Sequence, residues 1–243
     1  MTKSIAEHMV HLFQLNWAEQ QPSQLNDVET DPWFYLRYDE RQRALRLQRP
    51  QARLQFIHTR VWLKRCLQNY CGGAAEDIDL AYTSNGKPYL AKQEFKYIQF
   101  NLSHSGIMAI LGITSHRSIG IDIEQIKPNR DHLALAQRYF SPKEQAWLAA
   151  QPLEAQMSAF FQIWVRKEAW LKALGKGITV PLEQMETHLP DAPVFYLQSA
   201  SSSDRWLGMD IPINHHYKAA IVLEGDTPFN IHWITEKDVD MKL

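Results

Sequence analysis

The sequence predicts an α+β fold. Apolar residues recur at helical spacing over residues 53–70 and 154–174. Short runs with the two-residue alternation of strands lie before, between and after these helices. Helices and strands do not alternate strictly enough for a parallel doubly wound sheet.

Along the chain, residues 8–17 carry Val10, Leu12, Leu15 and Trp17 in partial alternation and read as a first strand. From Arg53 to Tyr70, Phe56, Leu63, Leu67 and Tyr70 share one helix face, and Gly72-Gly73 ends the helix. A strand around Ile78 to Tyr82 leads into Asn85-Gly86-Lys87-Pro88, a strong turn signal. Ile98 to Leu102 and Ile107 to Ile113 read as strands, with Ser103-His104-Ser105-Gly106 connecting them. The polar link Thr114 to Arg117 precedes an acidic strand, Ser118 to Glu124.

Further on, Leu133 to Tyr139 reads as a helix. Ser141-Pro142-Lys143-Glu144 has a serine cap, proline at the first helical position and glutamate at the third. A long helix over 154–174 is closed by Gly175-Lys176-Gly177, and strands are expected at 194–198, 217–223 and 229–234. The loop Ser199 to Asp204 is polar. Each half has a helix and several strands, so the chain divides best near 114–117, into residues 1–116 and 117–243.

A chain of 243 residues can bury an ample core, as one large domain or two small ones. A net charge of −1 argues against wholesale nucleic-acid binding, although Arg37, Arg41, Arg43, Arg46, Arg49 and Arg53 cluster early. Cys66 and Cys71 are too few for a disulfide framework and lack metal-site spacing. No apolar run is long enough to span a bilayer, and no signal-peptide layout opens the chain. A cytoplasmic protein without membrane contact is expected.

The chemistry concentrates in two segments. In Ile119-Gly120-Ile121-Asp122-Ile123-Glu124, the isoleucines face one way, while Gly120, Asp122 and Glu124 face the other. On the long helix, Trp164, Glu168 and Lys172 follow one another at one-turn intervals on one face. Three carboxylates and an ammonium suit a magnesium-assisted reaction at a diphosphate, because magnesium takes hard oxygen ligands and leaves room for phosphates. Each piece also has an ordinary reading. An Asp-x-Glu pair is commonly solvated surface, and Glu168–Lys172 matches a helical salt bridge of ~0.3–0.5 kcal/mol. His104 is suited to phosphate binding or proton transfer but equally to a structural role. Lys87 is a turn lysine unless phosphates lie nearby, His215-His216 lacks a metal-ligand partner, and Glu144 is explained by a capping box alone.

Taken in order, Gly86-Lys87-Pro88, Asn101-Leu102-Ser103-His104-Ser105-Gly106, Ile119 to Glu124, Phe140-Ser141-x-x-Glu144 and Trp164-x-x-Lys167-Glu168-Ala169-x-x-Lys172-x-x-Gly175 resemble the 4′-phosphopantetheinyl transferases of the larger, surfactin-synthetase-activating type. The motifs span about residues 40–180. The resemblance implies two similar subdomains forming an intrachain pseudo-dimer, with the active site in the cleft between them. It implies transfer of phosphopantetheine from coenzyme A to a serine of an apo acyl or peptidyl carrier protein, releasing adenosine 3′,5′-bisphosphate, by a monomer. By position, Asp122, Glu124 and Glu168 would hold magnesium, with manganese as an alternative. Lys172 and His104 would contact the coenzyme A phosphates, with Ser103 and the Gly86-Lys87-Pro88 turn close by. Arg43, with Arg41 as second choice, matches the contact to the 3′-phosphate. Glu144 is the candidate base for the serine proton, in competition with its capping role; a magnesium-bound water or Glu168 could serve instead, and Lys172 would help neutralise the leaving oxygen. A non-catalytic protein that binds coenzyme A or a carrier is the first alternative; a different magnesium enzyme built on the acidic cluster, such as a phosphohydrolase or nuclease, is the second, and it would leave the lysine, histidine and arginine positions unexplained.

Overall fold

The computed structural model describes residues 2–17, 31–127, 131–175, 181–187, 193–198, 205–235 and 238. Two four-stranded sheets pack face to face, each covered on its outer side by one 22-residue helix. The first sheet has the order β10-β1-β5-β4, from β10 (Asn230–Trp233), β1 (Met9–Asn16), β5 (Met108–Ser115) and β4 (Ile98–Ser105). The second has the order β6-β9-β8-β7, from β6 (Ile119–Gln125), β9 (Tyr217–Glu224), β8 (Arg205–Asp210) and β7 (Val194–Gln198). A small hairpin, β2 (Leu80–Tyr82) with β3 (Pro88–Leu90), carries the expected turn at its tip.

Alternation along the strands explains the layers. In β1, Phe13 and Leu15 pack under helix α2 (Pro50–Cys71) with Trp62, Leu63 and Leu67. Val10 and Leu12 point the opposite way, onto Ile119, Ile121 and Ile123 of β6. Helix α5 (Leu153–Leu174) covers the outer face of the second sheet through Val165, Ala169, Trp170 and Ala173. Both faces of β5 are therefore covered, and all eight of its residues are buried.

Helix α2 opens with Pro50 at its first turn and stops at Gly72, whose φ of 72° suits glycine. Cys66 lies wholly inside its core, where burial pushes the thiol pKa well up. The short helices α3 (His132–Tyr139) and α4 (Pro142–Ala149) pack on the first half of α5.

Three features depart from the sequence expectation. Ser103, His104 and Ser105 belong to β4 rather than to a connection. Helix α1 (Tyr38–Arg46) and strand β8 were not anticipated: α1 carries few apolar residues to show a period, and Trp206-Leu207 breaks alternation in β8. Finally, the last strand leaves its own half. β10 pairs in parallel with β1, so residues 230–233 complete the first sheet. The expected loop Ser199–Asp204, together with Lys176 and Gly177, lies outside the described residues.

Candidate active site

The site grows from the corner where edge strands β4 and β6 meet. The free edge of β6 exposes backbone N–H groups with no ladder partner, which burial would make costly. The Asn-x-Ser-x-Ser spacing of β4 answers this at every second residue. The Ile121 N–H donates to the Asn101 side-chain oxygen at 2.8 Å, Ile123 to Ser103 Oγ at 3.4 Å and Gln125 to Ser105 Oγ at 3.1 Å. The serine hydroxyls then donate onward, from Ser103 to Asp122 Oδ1 at 2.9 Å and from Ser105 to Glu124 Oε2 at 2.8 Å. Two small hydroxyls thus join the halves and orient both carboxylates.

From the other side, α5 brings Lys172 onto Asp122. The ammonium donates to Asp122 Oδ1 at 2.6 Å and to Ser103 Oγ at 2.8 Å. This approach depends on Gly120, because a Cβ there would sit 1.9 Å from the Ala169 carbonyl oxygen and 2.3 Å from the Ala173 nitrogen. The room that Gly120 leaves beside the carboxylates is taken by the helix backbone. Asp122 is only 4% exposed, and its Oδ2 is buried without a hydrogen-bond partner. Among the described residues, no group of three or more His, Cys, Asp or Glu side chains is drawn together as a metal cluster.

Glu168 and Lys172 line a cavity of about 240 Å³ with Leu171 of α5 and its capping Gly175, Asn101 and Leu102 of β4, and the 85–88 turn. The turn is tied to the helix end by Asn85, which donates to the Gly175 carbonyl at 2.8 Å. Lys87 donates to the backbone carbonyls of Ile119 at 2.9 Å and Ala173 at 3.3 Å, so its ammonium braces the two halves. Burial lowers its pKa to about 8, and Glu224 offsets this only in part.

A second cavity, of about 400 Å³, adjoins the first along Gly86, Pro88 and Leu102. It is cationic and aromatic. Arg43 and Arg60 both lie over the Phe56 ring, at 5.5 and 5.4 Å, and over the Tyr82 ring, at 5.6 and 5.8 Å. Arg60 was missed by the motif reading. It is 8% exposed, its Nε is 3.4 Å from Glu40 Oε1, and its Nε and Nη1 make no hydrogen bond. Arg41, the second choice for a phosphate contact, instead donates to the Leu36 carbonyl at 2.8 Å and does not line the cavity. His104 does line it, on the face of β4 opposite Ser103. Surrounding protein lowers the imidazole pKa, Lys172 lowers it further and Asp122 opposes the shift.

Two residues of the long motif turn away from the cleft. Trp164 packs between Phe160 and Tyr139, with ring centroids 5.7 Å from each. Lys167 is fully buried and donates to the Leu182 and Met185 carbonyls at 2.7 and 2.6 Å. Its ammonium also lies 2.7 Å from Glu144 Oε2. Glu144 is 1% exposed, and both its oxygens are engaged: Oε2 by the Ser141 N–H, Oε1 by the N–H and hydroxyl of Thr187. The capping box is present, and Glu144 lines neither cavity. Glu144, the candidate base, is thus a buried carboxylate held by its cap and its ion pair, away from both cavities.

Where the edges of the two packed sheets meet, an acid–lysine cluster lies beside an arginine–aromatic cavity, a charge pattern suited to an anionic ligand. Residues 31–116 match the family model for the 4′-phosphopantetheinyl transferase N-terminal region, and residues 118–223 match that of the 4′-phosphopantetheinyl transferase superfamily. The 4′-phosphopantetheinyl transferase HetI of Nostoc sp. is 35% identical over 89% of this chain and 88% of its own length. The 4′-phosphopantetheinyl transferase psf-1 of Bacillus pumilus is 40% identical over 48% of each chain. A solved Chronobacterium ammoniagenes ACPS–CoA complex aligns with 46% of this chain and 98% of its own at 18% identity and a TM-score of 0.36. The chain belongs to the 4′-phosphopantetheinyl transferase family.

Proposed function

We propose that this protein transfers the 4′-phosphopantetheine group of coenzyme A to a serine hydroxyl of an apo carrier protein, releasing adenosine 3′,5′-bisphosphate. The observation that carries the reading is the adjacency of the two cavities. One has arginines and aromatic rings suited to a phosphorylated nucleoside; the other has Glu168 and Lys172 on its wall, with Asp122 paired to Lys172 behind it, suited to a diphosphate and its cation. Coenzyme A has those two parts in that order.

In this assignment Arg43 and Arg60 hold the 3′-phosphate by charge-assisted hydrogen bonds, and Phe56 and Tyr82 flank the nucleoside. His104 and Lys172 contact the diphosphate, and the Gly86-Lys87-Pro88 turn supplies the floor between the cavities. Lys87 contributes there through its stem, its ammonium being held by carbonyl oxygens. Ser103 orients Asp122 and Lys172 rather than binding phosphate itself.

The donor set suits magnesium, or manganese: Asp122, Glu124 and Glu168 offer hard carboxylate oxygens, and the unpartnered, buried Oδ2 of Asp122 calls for a cation. Such a cation would neutralise charge on the diphosphate as the leaving oxygen departs. Lys172 adds its own positive charge at the same place. With Glu144 buried, Glu168 on the cavity wall is the carboxylate we assign to the serine proton. A monomer suffices, since one chain supplies both cavities. A cytoplasmic setting accords with two cysteines that form no disulfide and with the lack, among the described residues, of a helix long and apolar enough to cross a membrane.

The test is intact-mass spectrometry of an apo carrier protein incubated with this protein, coenzyme A and magnesium. The carrier gains ~340 Da, the mass of the added phosphopantetheine group, and a chelator abolishes the gain. Coenzyme A binding with no gain on several unrelated apo carriers would instead support a non-catalytic binding protein.

A further inference from the structure

Lys172 occupies one oxygen of Asp122, the carboxylate assigned above to the metal. Its ammonium sits 2.6 Å from Asp122 Oδ1 and shares the Ser103 hydroxyl with that carboxylate. The other Asp122 oxygen is buried and unpaired. Asp122 is thus half satisfied by an internal cation. Lys172 is also able to leave: its side chain is 30% exposed and lines the cavity that opens toward the diphosphate position.

We propose that Lys172 is an exchangeable counter-ion, which occupies Asp122 in the free protein and transfers to the diphosphate when coenzyme A binds. The inference rests on the assignment of Asp122 to the metal. A divalent cation and an ammonium repel strongly at one carboxylate in a partly dry site, so the two do not share Asp122 comfortably. A diphosphate offers the ammonium a new partner of higher charge and frees Oδ1. Coenzyme A then binds before the metal or together with it, and the free protein has little affinity for the metal alone. An empty site that keeps its own cation also avoids leaving Asp122 buried and uncompensated, which is costly.

The experiment is a calorimetric titration of manganese ion into the protein without carrier, with and without coenzyme A. Wild type binds the ion weakly alone and at least tenfold more tightly with coenzyme A. Lys172→Met binds the ion alone at least tenfold more tightly than wild type, and coenzyme A adds less than it does to wild type. Adding Asp122→Asn to that variant removes the gain. Circular dichroism confirms that each variant is folded. If Lys172→Met binds manganese no more tightly than wild type while Asp122→Asn still weakens the coenzyme A-dependent site, the exchange is overturned and the metal assignment stands. If Asp122→Asn leaves manganese binding unchanged in every background, the metal assignment itself fails, and the proposal with it.

Discussion

Replacing Glu144 by glutamine separates a buried structural carboxylate from a catalytic one. The substitution keeps the shape and can keep the cap, but it removes the charge facing Lys167, 2.7 Å away and fully buried. The Lys167 pKa is lowered chiefly by burial, with Glu144 the largest opposing influence, so the ammonium depends on that carboxylate. Breaking a buried ion pair from one side costs about 3–5 kcal/mol. An amide at 144 also meets four donors, from Ser141, Lys167 and Thr187, where it can accept through only one oxygen. With a urea dependence of about 2–3 kcal/mol per molar, the unfolding midpoint falls by about 1–2.5 M. Lys167→Met is destabilising as well, because the carbonyls of Leu182 and Met185 lose their donor. The double variant loses less than the sum of the two, by ~1.5 kcal/mol or more, as expected for side chains in contact. The assay is urea unfolding followed by tryptophan fluorescence, with transfer to an apo carrier measured below the onset of unfolding. There, Glu144→Gln stays within about threefold of wild type, whereas loss of a general base costs about 10²–10⁴-fold. An unmoved midpoint with turnover reduced by that factor would refute the structural reading and restore Glu144 as the base.

Gly120→Ala forces α5 off the second sheet, because a Cβ would sit 1.9 Å from the Ala169 carbonyl oxygen, which is backbone and cannot rotate away; we expect at least ~3 kcal/mol of destabilisation in the same assay, at the upper end for overpacking. Arg43→Ala raises the KM for coenzyme A about 10–100-fold, as for a lost charge-assisted hydrogen bond of about 1.5–3 kcal/mol, and leaves the KM for 3′-dephospho-coenzyme A nearly unchanged; an equal rise for both would remove Arg43 from the 3′-phosphate. His11 provides a pH test, its pKa being lowered to about 4 by burial, then by His232 and Lys3. Because the unfolded chain takes up this proton near pH 6.5 and the folded one does not, stability is constant in this respect above ~6.5 and falls as pH drops toward about 4. His11→Gln, which can keep a hydrogen bond to the Tyr70 hydroxyl, flattens the fall of the thermal midpoint across that window; an unchanged slope would show that other groups cause it.

Much of this was legible in the sequence because it depends on local periodicity. The two-residue alternation of 119–124 placed three isoleucines against the first sheet and two carboxylates on the face beneath α5. The one-turn spacing of Glu168 and Lys172 put both on one cavity wall. Serine, proline and glutamate at 141, 142 and 144 wrote a capping box that formed as read. Ser103-His104-Ser105 reads as a connection because three consecutive polar residues carry no apolar alternation. The partners of Ser103 and Ser105 are edge N–H groups of β6, some twenty residues away, and no local pattern reports such a pairing.

What the sequence determined by itself was therefore which residues share a strand face or a helix face, and the order of motifs that marks the family. Only the tertiary structure decided how those faces meet. It brought Lys172 onto Asp122, set Arg60 beside Arg43 over shared rings, closed Glu144 against Lys167, and returned β10 to pair with β1. The reason is physical. Side-chain periodicity follows from the geometry of one helix or strand, but a charge's partner is set by which buried groups must be satisfied once the layers pack. Glu144 shows the difference most plainly: its capping role is a matter of three residues, and its exclusion from the cleft is a matter of the whole fold.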